Sequence, residues 1–286
     1  MIVALALAAT LVAGATPATG ATKPATPARP AIQARPAAPP GPLHRVIALR
    51  GIRMYVDLEG AGPPLLLLHG GAGNGLQFEH QLPSFTKRYR CIVPDLCGQG
   101  RTSDRDGPLT YEAMAEDVVA LMDSLRIPSA DLMGWSDGGI IGLEIAIHHP
   151  TRLKHLVTFG ANLTPDGLNP SDVAWNDTAT VAAFGDGMRE GWQKMAPDPS
   201  RYESVMTKII ALWHTQPHLT AADLAKIRTP SLICAGEHDL VRRAHTESIA
   251  RGIRGAQLWI VPGASHSAMM ERPDLVNARV LEFLAK

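Results

Sequence analysis

Cysteine is scarce: Cys91, Cys97 and Cys234 are the three in a chain of 286 residues, an odd number that gives no disulfide framework. In a fold of this size three buried free thiols fit better than one bridge and one free thiol. No Cys-x-x-Cys pair occurs. The His-x-x-x-His spacing from His214 to His218 contains Pro217, which spoils the helical turn that would bring both rings to one face, so a metal site is not expected. Runs of like charge are missing too. With 27 basic and 27 acidic residues the net charge is zero, and neither nucleic acid nor an anionic membrane surface is expected as a partner.

The apolar stretch at 2–13 is too short to span a bilayer comfortably. It is followed by Ala13-Gly14-Ala15, a small-x-small site that a signal peptidase could cut, so residues 1–21 read as a secretory signal. No Lys or Arg precedes the stretch, which leaves the positive end to the terminal amine; an uncleaved N-terminal anchor is the alternative. Residues 22–42 are mostly Ala, Pro and Thr and cannot form a core; they read as a flexible, partly polyproline-like linker. A secreted or periplasmic protein follows, with no stable membrane insertion once the signal is removed.

What remains, at 45% hydrophobic content over the whole chain, suffices for one sizeable core. Val46 to Leu49 and Ile52 to Val56, joined through Arg50-Gly51, predict an opening antiparallel hairpin. Leu65-Leu66-Leu67-Leu68 is a continuously apolar strand of the kind buried on both faces of a parallel sheet. Further strands are expected at 90–94, 130–133, 153–160, 231–236 and 258–261. Helices are expected after Thr110, after Ser136, over 243–253 and from Pro273. Strands alternating with helices at this spacing imply βαβ units, hence an α/β fold with a mostly parallel eight-stranded sheet. The alternation stops at 162–223, a stretch rich in large residues (Trp175, Phe184, Met188, Trp192, Met195, Tyr202, Met206 and Trp213), which reads as a helical cap inserted into a core of 43–161 and 224–286.

Gly134-Trp135-Ser136-Asp137-Gly138 lies between an apolar strand and an apolar helix, the context of a nucleophile elbow. A Gly-x-Ser-x-Gly pentapeptide carries little by itself. Its surroundings carry more. His69-Gly70-Gly71 leaves a central strand and exposes backbone N–H groups of the kind that bind an oxyanion. Asp239 follows one late strand, and His266 the last. Ser136, Asp239 and His266 therefore stand at strand ends on one edge of the sheet, with Glu237 as a rival acid. In proton terms His266 would take the Ser136 proton and return it to the leaving group, while Asp239 would fix the imidazole tautomer. The oxyanion would be held by the N–H of Asp137 and one from Gly71, or from Ala72.

The order serine, acid, histidine resembles that of the α/β-hydrolases, and the likeness covers residue 43 to the C terminus. Gly-Trp-Ser-Asp-Gly-Gly at 134–139, with Gly160-Ala161-Asn162 after the next strand, is similar to the biphenyl hydrolase-like (valacyclovir hydrolase) branch. That resemblance implies a serine hydrolase without cofactor, acting on a small-molecule carboxylic ester. It also implies that an acidic residue beside the nucleophile, here Asp137, receives the α-amino group of amino-acid esters, with Trp135 and Asn162 as further substrate-binding candidates. The 95–103 loop departs from the usual pattern in having Cys97 where Arg is common. Carbon–carbon bond hydrolysis by the same residues is the alternative enzyme reading, and a slow-turnover ligand receptor is the non-enzymatic one.

Overall fold

The computed structural model describes residues 43–169 and 181–286, all within one unit of the chain, Pro39–Lys286. The expected signal and linker, and Trp175 of the expected cap, lie outside the described residues. Eight strands form one sheet: β1 (Leu43–Leu49), β2 (Ile52–Glu59), β3 (Pro64–Leu68), β4 (Arg90–Pro94), β5 (Ala130–Trp135), β6 (Leu153–Phe159), β7 (Ser231–His238) and β8 (Gln257–Ser265). Their order is β1-β2-β4-β3-β5-β6-β7-β8. Only the β1–β2 and β2–β4 pairings are antiparallel; β4 through β8 pair in parallel. The opening hairpin turns at Arg50 and Gly51, which have φ of 43° and 81°, a double positive-φ turn that suits the twist of the two strands.

The apolar run of β3 is explained by burial on both faces. Leu66 and Leu68 belong to one core cluster and Leu65 and Leu67 to the other, all fully buried. Each such side chain contributes about 1.5–3 kcal/mol. Nine α-helices are present among the described residues. On the core they are α1 (Leu82–Phe85), α2 (Tyr111–Ser124), α3 (Asp137–His148), α7 (Arg243–Gly252), α8 (Ala268–Glu271) and α9 (Pro273–Leu284). Between β6 and β7 come α4 (Gly185–Met195), α5 (Tyr202–Thr215) and α6 (Ala221–Leu224), with no strand among the described residues of that stretch. None of the described helices is long and apolar enough to cross a membrane.

Thr110 caps α2 by accepting a hydrogen bond from the Ala113 N–H, the role its residue type suggests. The last two strands run further than the sequence predicts. β7 continues to His238, and β8 passes through Pro262 and Gly263 to Ser265. Pro262 is tolerated because β8 is the edge of the sheet, where a missing N–H leaves no neighbouring strand unpaired. The extension carries the chain directly to His266.

Candidate active site

Ser136 sits where β5 turns into α3, with φ 52° and ψ −116°, a strained conformation that aims its side chain away from the helix axis. The turn is possible because its neighbours lack side chains. A Cβ on Gly134 would lie 2.2 Å from the Gly138 carbonyl oxygen, and one on Gly138 would lie 2.1 Å from that of Leu68. The Ser136 N–H donates to the Phe159 carbonyl at 2.7 Å, tying the elbow to β6.

His266 follows β8, and its Nδ1 lies 2.7 Å from Asp239 Oδ1. Asp239 is 6% exposed; it also accepts from the amides of Val241 at 3.0 Å and Gly236 at 3.1 Å. Glu237, the rival acid, is exposed and accepts from the Gly263 amide at 2.7 Å, so the histidine's acidic partner is Asp239. Two further contacts hold His266. The Trp135 indole N–H donates to the His266 carbonyl at 2.8 Å, and bare Gly160, at φ 61°, lies under the ring, where a Cβ would come within 2.5 Å of Cε1. Among the described residues no hydrogen bond joins Ser136 to His266, although both face one cavity of about 180 Å³. Such contacts are often loose without substrate and tighten when it binds.

The His-Gly-Gly loop is held by its histidine. The Leu96 N–H donates to His69 Nε2 at 2.8 Å, which leaves the ring proton on Nδ1 to be donated to the Gly70 carbonyl at 2.8 Å. His69 is fully buried, and burial pushes its pKa below the ordinary histidine value, so it serves as a neutral strut. Gln77 completes the brace by accepting from the Gly70 N–H at 3.0 Å. The amides of Gly71 and Asp137 donate to no other described residue. Asp137 is the first residue of α3, where helix geometry gives an N–H no partner within the helix.

The Asp137 side chain is 3% exposed. Its Oδ1 accepts from the Tyr111 hydroxyl at 3.0 Å, and the Trp213 indole N–H reaches Oδ1 at 3.1 Å and Oδ2 at 3.0 Å. Burial raises its pKa to about 6, against the hydrogen bonds from Trp213 and Tyr111 and the nearby His266, all of which favour the charged form. Asp137, Trp135 and Asn162 all line the cavity with Ser136 and His266. Asn162 is pinned by donating its Nδ2 to the Thr164 carbonyl at 2.9 Å. Sequence reasoning gave no role to Tyr111, Leu168, Gln216 and Leu240, which complete the wall. Trp213 appeared only as one of many large cap residues. Among the described residues no Lys or Arg is part of the lining.

Three comparisons bear on this geometry. The profile of the alpha/beta hydrolase family matches residues 65–279. Human serine hydrolase BPHL is 28% identical over 251 residues, covering 83% of this chain and 85% of the relative. The 2-hydroxymuconate semialdehyde hydrolase of a Pseudomonas species (strain CF600) is 29% identical over 267 residues, covering 85% and 94%. A hydrolase structure from Pseudomonas aeruginosa PA01 superposes with a TM-score of 0.70 at 27% identity, covering 85% of this chain and 98% of that one. With an eight-stranded, mostly parallel sheet and a profile match over most of its length, the chain belongs to the alpha/beta hydrolase family and is a hydrolytic enzyme.

Proposed function

We propose that this hydrolase cleaves small carboxylic esters through an acyl-enzyme on Ser136, with esters of α-amino acids as its preferred class. The observation that carries the reading is the Asp239–His266 pair facing the elbow serine across one cavity. With Nδ1 committed to Asp239, the histidine presents Nε2 to the serine. Ser136 Oγ attacks the ester carbonyl carbon as its proton passes to Nε2. The carbonyl oxygen becomes an oxyanion beside the amides of Gly71 and Asp137, each such donor being worth about 3 kcal/mol. The carbon–oxygen bond to the alcohol breaks, the alcohol leaves with the Nε2 proton, and a water repeats the sequence to release the acid and regenerate Ser136.

Asp137 supports the amino-ester class. Its carboxylate lies one residue from the nucleophile, on the cavity wall, and pairs there with donors only. A carboxylate so placed attracts an ammonium group on the carbon next to the acyl centre. It also repels anions, and among the described residues the lining holds no Lys or Arg to offset that. This disfavours the alternative of carbon–carbon bond cleavage on an anionic substrate. The export reading of residues 1–21 belongs to the same proposal: the mature N terminus, sequenced from the native host, should fall near Thr16 or Thr22, and an intact Met1 contradicts it.

The test is hydrolysis of p-nitrophenyl butyrate by wild type and Ser136→Ala, with mass spectrometry of the quenched wild-type enzyme. An added butyryl mass on the peptide containing Ser136, together with loss of turnover in the variant, is expected. Full activity in Ser136→Ala overturns the reading.

A further inference from the structure

We infer that Asn169 is a positioning residue for the acid Asp239, and that the segment 163–169 is a strap through which the cap region holds the acid's loop. This rests on the reading of Asp239 as the partner of the catalytic histidine. The carboxylate of Asp239 is fixed by the amides of Gly236 and Val241, but its loop needs a second support to stay in register with His266. Asn169 supplies one at two adjacent peptides. Its backbone N–H donates to the Leu240 carbonyl at 2.7 Å, and its Nδ2 donates to the carbonyl of Asp239 itself at 3.1 Å.

The strap is fastened along its length. Leu168 forms an antiparallel bridge with Val241, and the Arg242 N–H donates to the Gly167 carbonyl at 2.8 Å. At the far end the Leu163 N–H donates to His245 Nε2 at 2.8 Å, with the imidazole lying against bare Gly167, where a Cβ would come within 2.7 Å of the ring. With the Arg242 guanidinium donating to the Asp166 carbonyl, five hydrogen bonds join 163–169 to 239–245; two of them make up the Leu168–Val241 bridge, and one ends on the acid's own peptide. A hydrophobic surface closes the arrangement toward substrate. Leu168 on the strap and Leu240 on the acid loop both line the catalytic cavity, so an acyl or alcohol group filling it presses on both segments at once.

A neutral backbone support and a catalytic positioning role differ in what they do to the histidine. If the strap only adds stability, its loss lowers the melting temperature and leaves the rate and its pH dependence alone. If it aligns Asp239, its loss weakens stabilisation of the imidazolium, so kcat falls, KM changes little, and the acid limb of kcat/KM moves to lower pH.

The experiment is the pH profile of p-nitrophenyl butyrate hydrolysis for Asn169→Leu, which keeps the size and removes the donor, with Asn169→Ala as a second variant and melting temperatures for both. A fall in kcat of about tenfold, a KM change under about twofold and a downward move of the acid limb by about half a pH unit are expected. His245→Ala, which frees the other end of the strap, should move the limb the same way by less. A wild-type kcat and pH profile in the folded Asn169 variants overturns the inference while leaving the proposed chemistry intact. Asp239→Asn separates the two: if it retains the wild-type rate, the reading of Asp239 itself fails.

Discussion

Asp239 and Asp137 are both buried carboxylates beside the same histidine, and they are held in opposite ways. Asp239 takes two of its three hydrogen bonds from backbone amides close to it in the chain, those of Val241 and of Gly236 in β7, two and three residues away. Asp137 takes its bonds from side chains on two other elements, Tyr111 at the start of α2 and Trp213 near the end of α5. Amides of a short loop cannot leave without unfolding it, whereas an indole on a cap helix can move with that helix. The sheet edge therefore fixes the group proposed to support the catalytic histidine, and the cap tunes the group proposed to choose the substrate. Burial raises the Asp137 carboxyl pKa to about 6, and the bonds from Trp213 and Tyr111 hold it from rising further.

The contrast breaks most severely at the sheet edge. Asp239→Asn keeps the shape but favours the wrong imidazole tautomer, and should lower kcat/KM by about 10³–10⁴ on every ester, with or without an amino group. Steady-state kinetics on both ester types check this, and a loss confined to amino esters would break the division of labour. Next comes Trp213→Phe. It removes one donor from the charged carboxylate, so the Asp137 pKa should rise further, and the pH at which amino-ester preference appears should move up by about one unit while neutral-ester rates stay within about threefold. Parallel pH profiles on the two substrates read the shift.

How much of this was legible in the sequence differs between the same two regions. The elbow, the His-Gly-Gly loop and the residues after β7 and β8 could be read because each is a local pattern: a glycine where a neighbouring strand passes within contact distance, or a polar residue directly after an apolar run. The cavity roof could not. Trp213 lies on a helix whose Val205, Met206 and Ile209 are buried as core, and nothing in helical periodicity separates the one indole that turns toward a carboxylate. Tyr111 was hidden in the first turn of an ordinary capped helix, and Leu168 and Asn169 in a stretch with no periodicity. The overlong β8 was missed because Pro262 reads as a strand end unless the strand is known to be an edge.

The smallest expected effect concerns acid stability. Burial holds the pKa of His69 and of His245 below the ordinary histidine value of 6.5. The unfolded chain then binds these protons more readily than the native one, so the stability they contribute is present above about pH 6.5 and is lost as pH falls below it. His245→Gln, which keeps an acceptor for the Leu163 amide, should lower the steepness of the fall in melting temperature between about pH 6.5 and 5. An unchanged slope by calorimetry would remove His245 from that account.

The most direct test of the division between edge and cap is one ratio: kcat/KM for an aminoacyl ester with a free α-amino group over that for its N-acetyl counterpart, measured at pH 7 in wild type and Asp137→Asn, with Ser136→Ala as the blank. The substitution keeps the Asp137 backbone amide and removes only the charge. A ratio well above one is expected in wild type, falling by about 10–100-fold in Asp137→Asn, with the N-acetyl ester rate changed by less than about threefold. A ratio near one in wild type, or an equal loss on both esters, would contradict it.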